Sequence, residues 1–188
     1  MAPRRVAQAE AVAEIKALAA SRADLTTFIG IDGPGGAGKS ALAMRIRAAV
    51  PGAHVVAVDD FAGPRVPEWD WLRFIRQVRD PLLAGRAAHY QRWDWDRDEG
   101  AEWHDVPPGA VVVIEGVSST RDEAGVPWRL TLWVDTARET RLARALQRDG
   151  EAMMATWVTE WIPSEEAYIS AQRPQQRADL VVSGAEPS

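Results

Sequence analysis

Residues 31–40 read IDGPGGAGKS, with four glycines, a proline, a serine and one of the chain's two lysines in ten positions. Gly33, Gly38, Lys39 and Ser40 fit the spacing G-x-x-x-x-G-K-[ST]. Phosphate oxygens need several backbone N–H groups converging on them, which only a chain free of Cβ clashes supplies. A helix beginning near Lys39 adds the positive end of its dipole. Lys39 brings a mobile charge to the β- and γ-phosphates, and the Ser40 hydroxyl is a hard oxygen ligand for Mg²⁺. Gly33, Gly35, Gly36, Ala37, Gly38, Lys39, Ser40 and Ala41 are therefore the predicted nucleotide-binding stretch. The competing reading is a glycine-rich connection that binds nothing, and it leaves the lysine unexplained.

Three carboxylates join this loop if the sheet is open and parallel, because ligands then sit outside the carboxyl ends of the strands. Asp59 and Asp60 close the run HVVAVDD (54–60), and Glu115 lies near the end of GAVVVIEGV (109–117). A carboxylate in that position can accept the proton of an attacking hydroxyl, or hold Mg²⁺ directly or through water. Taken singly, each acid could equally be a solvated strand end.

The elements needed to position these groups follow from the apolar pattern. TTFIGIDG (26–33) reads as a buried strand, and KSALAMRIRAAV (39–50) as a helix with Leu42, Ile46 and Ala49 on one face. A second strand covers 54–60, and a helix covers 67–85 with Trp71, Ile75, Val78 and Leu82 in register. Strands at 109–117 and 129–135 come next. A helix over 136–150 has Thr136 as its expected cap and a glycine stop. A further helix spans about 151–173, with a break expected at Pro163, and ADLVVSG (178–184) is the fifth strand. Near-continuous apolar strands alternating with helices predict an α/β fold: a five-stranded parallel sheet covered by helices on both faces.

Composition narrows the class. With 188 residues, the chain fits one domain over 1–188, with an N-terminal helix over 1–22. A net charge of −5 offers no general attraction to nucleic acid or to an anionic membrane surface. Cysteine is absent, which excludes disulfides and thiolate metal sites. The N-terminal segment has no continuous apolar core, and no stretch reaches the roughly 20 apolar residues of a membrane span. A cytoplasmic protein is the expectation, with a homodimer left open.

GPGGAGKS, then VVAVDDF some twenty residues on, then VVVIEGV, resemble the uridine kinase-like branch of the P-loop kinases, from about Thr26 to Gly184. That branch also contains phosphoribulokinase, pantothenate kinase and nicotinamide riboside kinase. The resemblance implies a P-loop fold with a small lid and its following helix over 149–173, ATP as donor and Mg²⁺ as cofactor. It implies that Asp59 is the general base, with Asp60 as the fallback, and that Glu115 is linked to Mg²⁺ or to the substrate. It also implies that arginines after the fourth strand hold phosphates. Among Arg138, Arg141, Arg144 and Arg148, the last two lie toward the lid end.

The chain departs from the branch in HYQRWDWDRDEGAEWHD (89–105), where a tyrosine-phenylalanine-histidine type of stretch is usual. Its His89, Tyr90, Arg92, Trp93, Asp94, Trp95 and Asp96 offer hydrogen-bonding groups on an aromatic frame, with Trp69 and Trp71 near by. Asp59, Asp60, Tyr90, Arg92 and Trp93 are the predicted acceptor-binding residues; core or dimer packing is the alternative for the tryptophans. His54 and His104 read as structural. The expected function is transfer of the γ-phosphoryl group of ATP to a small hydroxyl acceptor, with a nucleoside as one candidate. The alternatives are a nucleoside monophosphate kinase, using Arg65, Arg73, Arg92 or Arg97, and a nucleotide-binding protein without transferase activity. A guanine-reading N-K-x-D stretch is excluded, because the chain has no asparagine.

Overall fold

Thr27–Asp32 (β2) is buried at every position, because it has strands on both sides and apolar layers above and below. The computed structural model describes residues 2–21, 25–63, 69–95 and 97–185. The other elements in chain order are β1 (Arg4–Val6), α1 (Gln8–Ser21), α2 (Lys39–Ala49), β3 (His54–Ala57), α3 (Trp71–Phe74) and α4 (Asp80–Leu83). Then come β4 (Ala88–Asp94), β5 (Glu99–Val106), β6 (Val111–Glu115), β7 (Leu130–Asp135), α5 (Arg138–Asp149), α6 (Met154–Thr156), α7 (Ile162–Gln172), α8 (Pro174–Arg177) and β8 (Leu180–Ser183).

The main sheet has the order β1-β8-β7-β2-β6-β3, and every pairing in it is parallel. Alternation along the strands feeds two cores. Ile29, Ile31, Val113 and Leu132 pack against Ala11 and Ile15 of α1 and Leu42 and Ile46 of α2. Phe28, Val112 and Ile114 face the other way, onto Phe74, Val78 and Leu82. Helices therefore cover both faces, as the buried strands require. Truncating Ile46, fully buried between α2 and the sheet, would cost about 2–5 kcal/mol.

The sheet has six strands rather than five. Residues 1–22 are not all helix: Arg4–Val6 adds to β8 as an edge strand, and residues 1 and 22 lie outside the described residues. Three residues, two of them arginines, carry no periodicity that a sequence pattern can register. Arg4 pairs with Glu14 and Arg5 with Asp135, which suits a charged sheet edge.

The chain runs helically from 71 to 83, starting after Asp70, whose carboxylate accepts from Arg73 N at 2.8 Å; Pro67, within the expected helix, is outside the described residues. A π turn over Ile75–Arg79 precedes Pro81. The same arrangement recurs where the Trp157–Trp161 π turn precedes Pro163. A proline lacks the N–H of the i to i−4 ladder, and a widened turn ahead of it absorbs the defect. The expected break at Pro163 is accordingly absent. Thr136 is not a cap either: Ala137 precedes α5 with no side-chain bond, while the Thr136 hydroxyl donates to Ala37 O at 2.9 Å.

Candidate functional site

The loop joining β2 to α2 ends at Gly38, which has φ +100° and ψ +18° and offers no side-chain cap to the helix. A Cβ is strained in that backbone. The first N–H groups of α2, from Lys39 to Ala41, are thus left to an anion. Lys39 is only 7% exposed, and its Nζ donates to Pro34 O at 2.9 Å. Burial pushes its pKa down, and the carboxylates of Glu115, Asp32, Asp59 and Glu165 push it back up.

Glu115 ends β6, beside β2. Burial raises its pKa, while the Lys39 ammonium and a hydrogen bond from the Ser40 hydroxyl lower it. Ser40 and Glu115, the two predicted metal ligands, therefore lie near each other. Both offer hard oxygens, which fits Mg²⁺. No group of three His, Cys, Asp or Glu side chains that could hold a metal occurs among the described residues. A bound ion would draw its remaining ligands from phosphate and water, as Mg²⁺ commonly does.

Asp59 and Asp60 lie one turn beyond their strand, on a 3₁₀ turn over Val58–Phe61, where the sequence pattern placed them in the strand itself. The turn separates them. Asp59 is exposed and acts electrostatically on Lys39, Glu115 and Arg148. Asp60 is half-buried and accepts from the Tyr90 phenol at 3.3 Å. Burial raises the pKa of Asp60, against lowering by His104, Tyr90 and Arg92.

The segment 89–105 forms an antiparallel hairpin, β4 on β5, apart from the main sheet. Between this hairpin, β3 and the end of α2 lies a cavity of about 410 Å³, lined in part by Asp60, Tyr90, Arg92, His54, His104 and Arg47. Its volume is in the range of small-ligand sites. Tyr90 stacks between Phe61 and His104 at centroid distances of 5.1 and 5.3 Å. Trp93 pairs with Gly100 in the hairpin and is not part of the cavity lining. Trp69 is buried in the core beside Phe74, and Trp71 lies under the Arg121 guanidinium at 3.9 Å. Asp96 and Arg65 lie outside the described residues.

The arginines of α5 grip the loop from behind. Arg141 donates to Gly35 O at 3.3 Å, and Arg144 to Gly36 O at 3.3 Å and Gly184 O at 2.9 Å. Arg148 is bound to Asp149 and lies 5.8 Å above the Trp157 ring. Arg144, predicted to touch phosphate, is thus engaged with the loop's carbonyls.

Three side chains at the loop escaped the sequence reading. Asp32 is 2% exposed and accepts from Gly33 N, Ser118 N, Thr120 N and the Thr120 hydroxyl at 2.6–3.1 Å. It also accepts from the Tyr168 phenol at 2.6 Å. Glu165, on the same helix, accepts from Gly35 N at 2.9 Å. Only the position of Asp32 next to the glycine loop could have flagged it. Ser118 has φ +56° and also accepts from Trp69 Nε1 at 3.0 Å. That backbone is costly for serine, so Asp32 and Trp69 hold it from both sides.

No protein-family model matches the chain. Over 113 residues it is 28% identical to the inorganic pyrophosphatase TTM2 of Arabidopsis thaliana, spanning 53% of this chain but only 16% of that protein. Two solved structures share the architecture over nearly the whole length. A protein named as a fructose transport system kinase, from Silicibacter sp. TM1040, superposes with a TM-score of 0.76 at 21% identity, covering 94% of this chain and 98% of its own. One named as a uridine kinase, from Bacillus stearothermophilus, gives 0.66 at 20% identity, covering 92% and 99%. The chain shares the fold of these two structures, an α/β architecture with a parallel sheet as the strand and helix pattern predicts; the sheet has one strand more than expected.

Proposed function

We propose that the chain is a small-molecule kinase that transfers the γ-phosphoryl group of Mg·ATP in line to an acceptor hydroxyl. The observation that carries this reading is the buried Lys39, bonded into the glycine loop through Pro34 O at 2.9 Å, with the carboxylates of Glu115 and Asp59 acting on it. Lys39 would neutralise charge developing on the transferred group. Asp59 would take the acceptor proton as the oxygen–phosphorus bond forms and ADP leaves. The cavity beside Asp60 and Tyr90 would seat the rest of the acceptor, and a nucleoside is one candidate for it. Arg144 and Arg148 would reach phosphate only by leaving their present partners. One domain in the cytoplasm belongs to the same proposal; no described helix is long and apolar enough to cross a membrane.

A nucleoside monophosphate acceptor needs free cations in the cavity. Arg73 is spent on the carbonyls of Gln91 and Asp60 at 2.9 and 2.8 Å. Arg92 is held by Glu102 and Asp94. Both engagements count against these two arginines as phosphate ligands, which leaves exposed Arg47 as the cation of the cavity lining for that second reading.

The test is ATP consumption by the purified protein with Mg²⁺ across nucleosides, sugars, sugar acids, vitamins and their monophosphates. Pyrophosphate belongs in the panel because of the match to a pyrophosphatase. Strong stimulation by one neutral hydroxyl compound is the expected result. Stimulation only by a monophosphate would transfer the reading to the second class, and ATP binding without any stimulation would leave a binding role.

A further inference from the structure

The peptide unit between Pro34 and Gly35 is held at both ends. Its carbonyl accepts from Lys39 Nζ at 2.9 Å, and its N–H donates to Glu165 Oε1 at 2.9 Å. Glu165 stands on α7 and is 6% exposed. Its other oxygen lies 3.7 Å from Arg141 Nη1, and its charge is felt at Lys39. A second contact presses the same helical stretch onto the loop. A Cβ at Gly35 would lie 2.5 Å from the Trp157 ring and 2.6 Å from Glu165 Oε1, so only glycine permits this approach.

The place matters because a loop of this kind is polar along its length. The helix N-terminus at Lys39–Ala41 faces the inner phosphates, whereas the lysine ammonium serves the β- and γ-phosphates. The ammonium here rests on Pro34 O, which marks Pro34–Gly35 as the terminal-phosphate end. Burial raises the Glu165 pKa, and a second anion beside it would meet direct like-charge repulsion in a water-poor site. One N–H and one neighbouring arginine cannot serve both.

We propose that Glu165 is a placeholder for the terminal phosphate, so that a nucleoside triphosphate displaces it from Gly35 while a nucleoside diphosphate leaves it seated. The inference rests on the reading of the loop as a nucleotide site. Displacement frees Arg141 from its acidic partner and lifts α7 off the loop. The helix thereby reports whether the donor still carries its γ-phosphate.

The experiment uses the full chain, wild type and Glu165→Gln, titrated calorimetrically with a non-hydrolysable ATP analogue and with ADP. Glutamine keeps an oxygen for the Gly35 N–H and removes only the charge. The expected result is about tenfold tighter binding of the triphosphate analogue and less than about twofold change for ADP, a difference near 1.4 kcal/mol. Hydrogen exchange on the wild-type chain gives a second readout: residues 162–172 should exchange faster with the analogue bound than with ADP bound. Equal shifts for both nucleotides, no shift, or weaker analogue binding in the variant overturns the placeholder role. So does unchanged protection of 162–172 in both complexes. If the wild-type chain binds neither nucleotide, the nucleotide reading itself falls and takes this inference with it.

Discussion

The Tyr168 phenol donates to Asp32 Oδ2 at 2.6 Å, across 136 residues of chain. Asp32 ends the central strand and, through its other bonds, holds the first N–H of the phosphate loop together with Ser118 and Thr120 of the stretch after β6. One carboxylate therefore fixes three segments, and α7 reaches it through a single hydroxyl. Removing that hydroxyl leaves Asp32 with four remaining donors but withdraws the bond that ties α7 to the end of β2. Tyr168→Phe is expected to cost about 1–3 kcal/mol of stability, the range for breaking a buried bond to a charged group. Urea unfolding measures it; a change under about 0.5 kcal/mol would mean that the bond is made equally well by water.

Lys39→Ala removes the charge at the loop and the donor to Pro34 O. Turnover is expected to fall by at least about 100-fold, with nucleotide affinity falling too. Calorimetry beside a coupled assay measures both, and unchanged affinity would show that phosphates bind elsewhere.

Asp59→Asn tests the division between the two neighbouring acids. Transfer should drop by about 100-fold or more, the usual worth of a general base, while ATP affinity stays within about twofold. The matching Asp60→Asn variant should chiefly raise the KM of the acceptor, because Asp60 bonds Tyr90 at the cavity and, unlike Asp59, does not act on Lys39. Full activity in Asp59→Asn removes it as the base.

Asp60 also predicts a pH dependence of stability. Burial raises its folded-state pKa above the ordinary aspartate value, so the folded form holds its proton to higher pH than the unfolded form. Stability at this residue is therefore greatest below about pH 4, the unfolded value, and falls as pH rises toward the raised folded value. Asp60→Asn escapes that loss. Its stability relative to wild type should grow from about pH 4 upward and level off once Asp60 is ionised. Urea melts between pH 4 and 8 test this, and a constant difference across the range would contradict it.

The loop from Gly33 to Ser40 was legible in the sequence because it is defined by residue type at fixed spacing: glycine where Cβ cannot fit, lysine and serine at the helix start. Glu115 was legible because a strand end is a local property. Glu165 and Tyr168 were not, since helical periodicity says nothing about which loop, 130 residues away, a helix will meet. The α5 arginines show the limit from the other side. Their stripe was visible, but the same guanidinium serves a phosphate or a carbonyl, and only coordinates reveal Gly35 and Gly36 as their present partners. The hairpin was missed because only Ala88, Tyr90 and Val106 of it are buried, too few among charged neighbours to read as an apolar side. Arg4–Val6 is too short to carry a pattern.

Among the described residues the hairpin β4–β5 shares no strand pairing with the main sheet, whereas the loop strand β2 is paired on both sides. Under the proposed function, donor chemistry is thus anchored on the central strand, and acceptor recognition falls to a hairpin seated on the core through Ala88, Tyr90 and Val106. Such a body can exchange the hairpin's exposed side chains while Ala88, Tyr90 and Val106 keep their places in the core. New substrate preferences are open to it by mutation of a few side chains, and directed evolution of this chain should concentrate on 89–105.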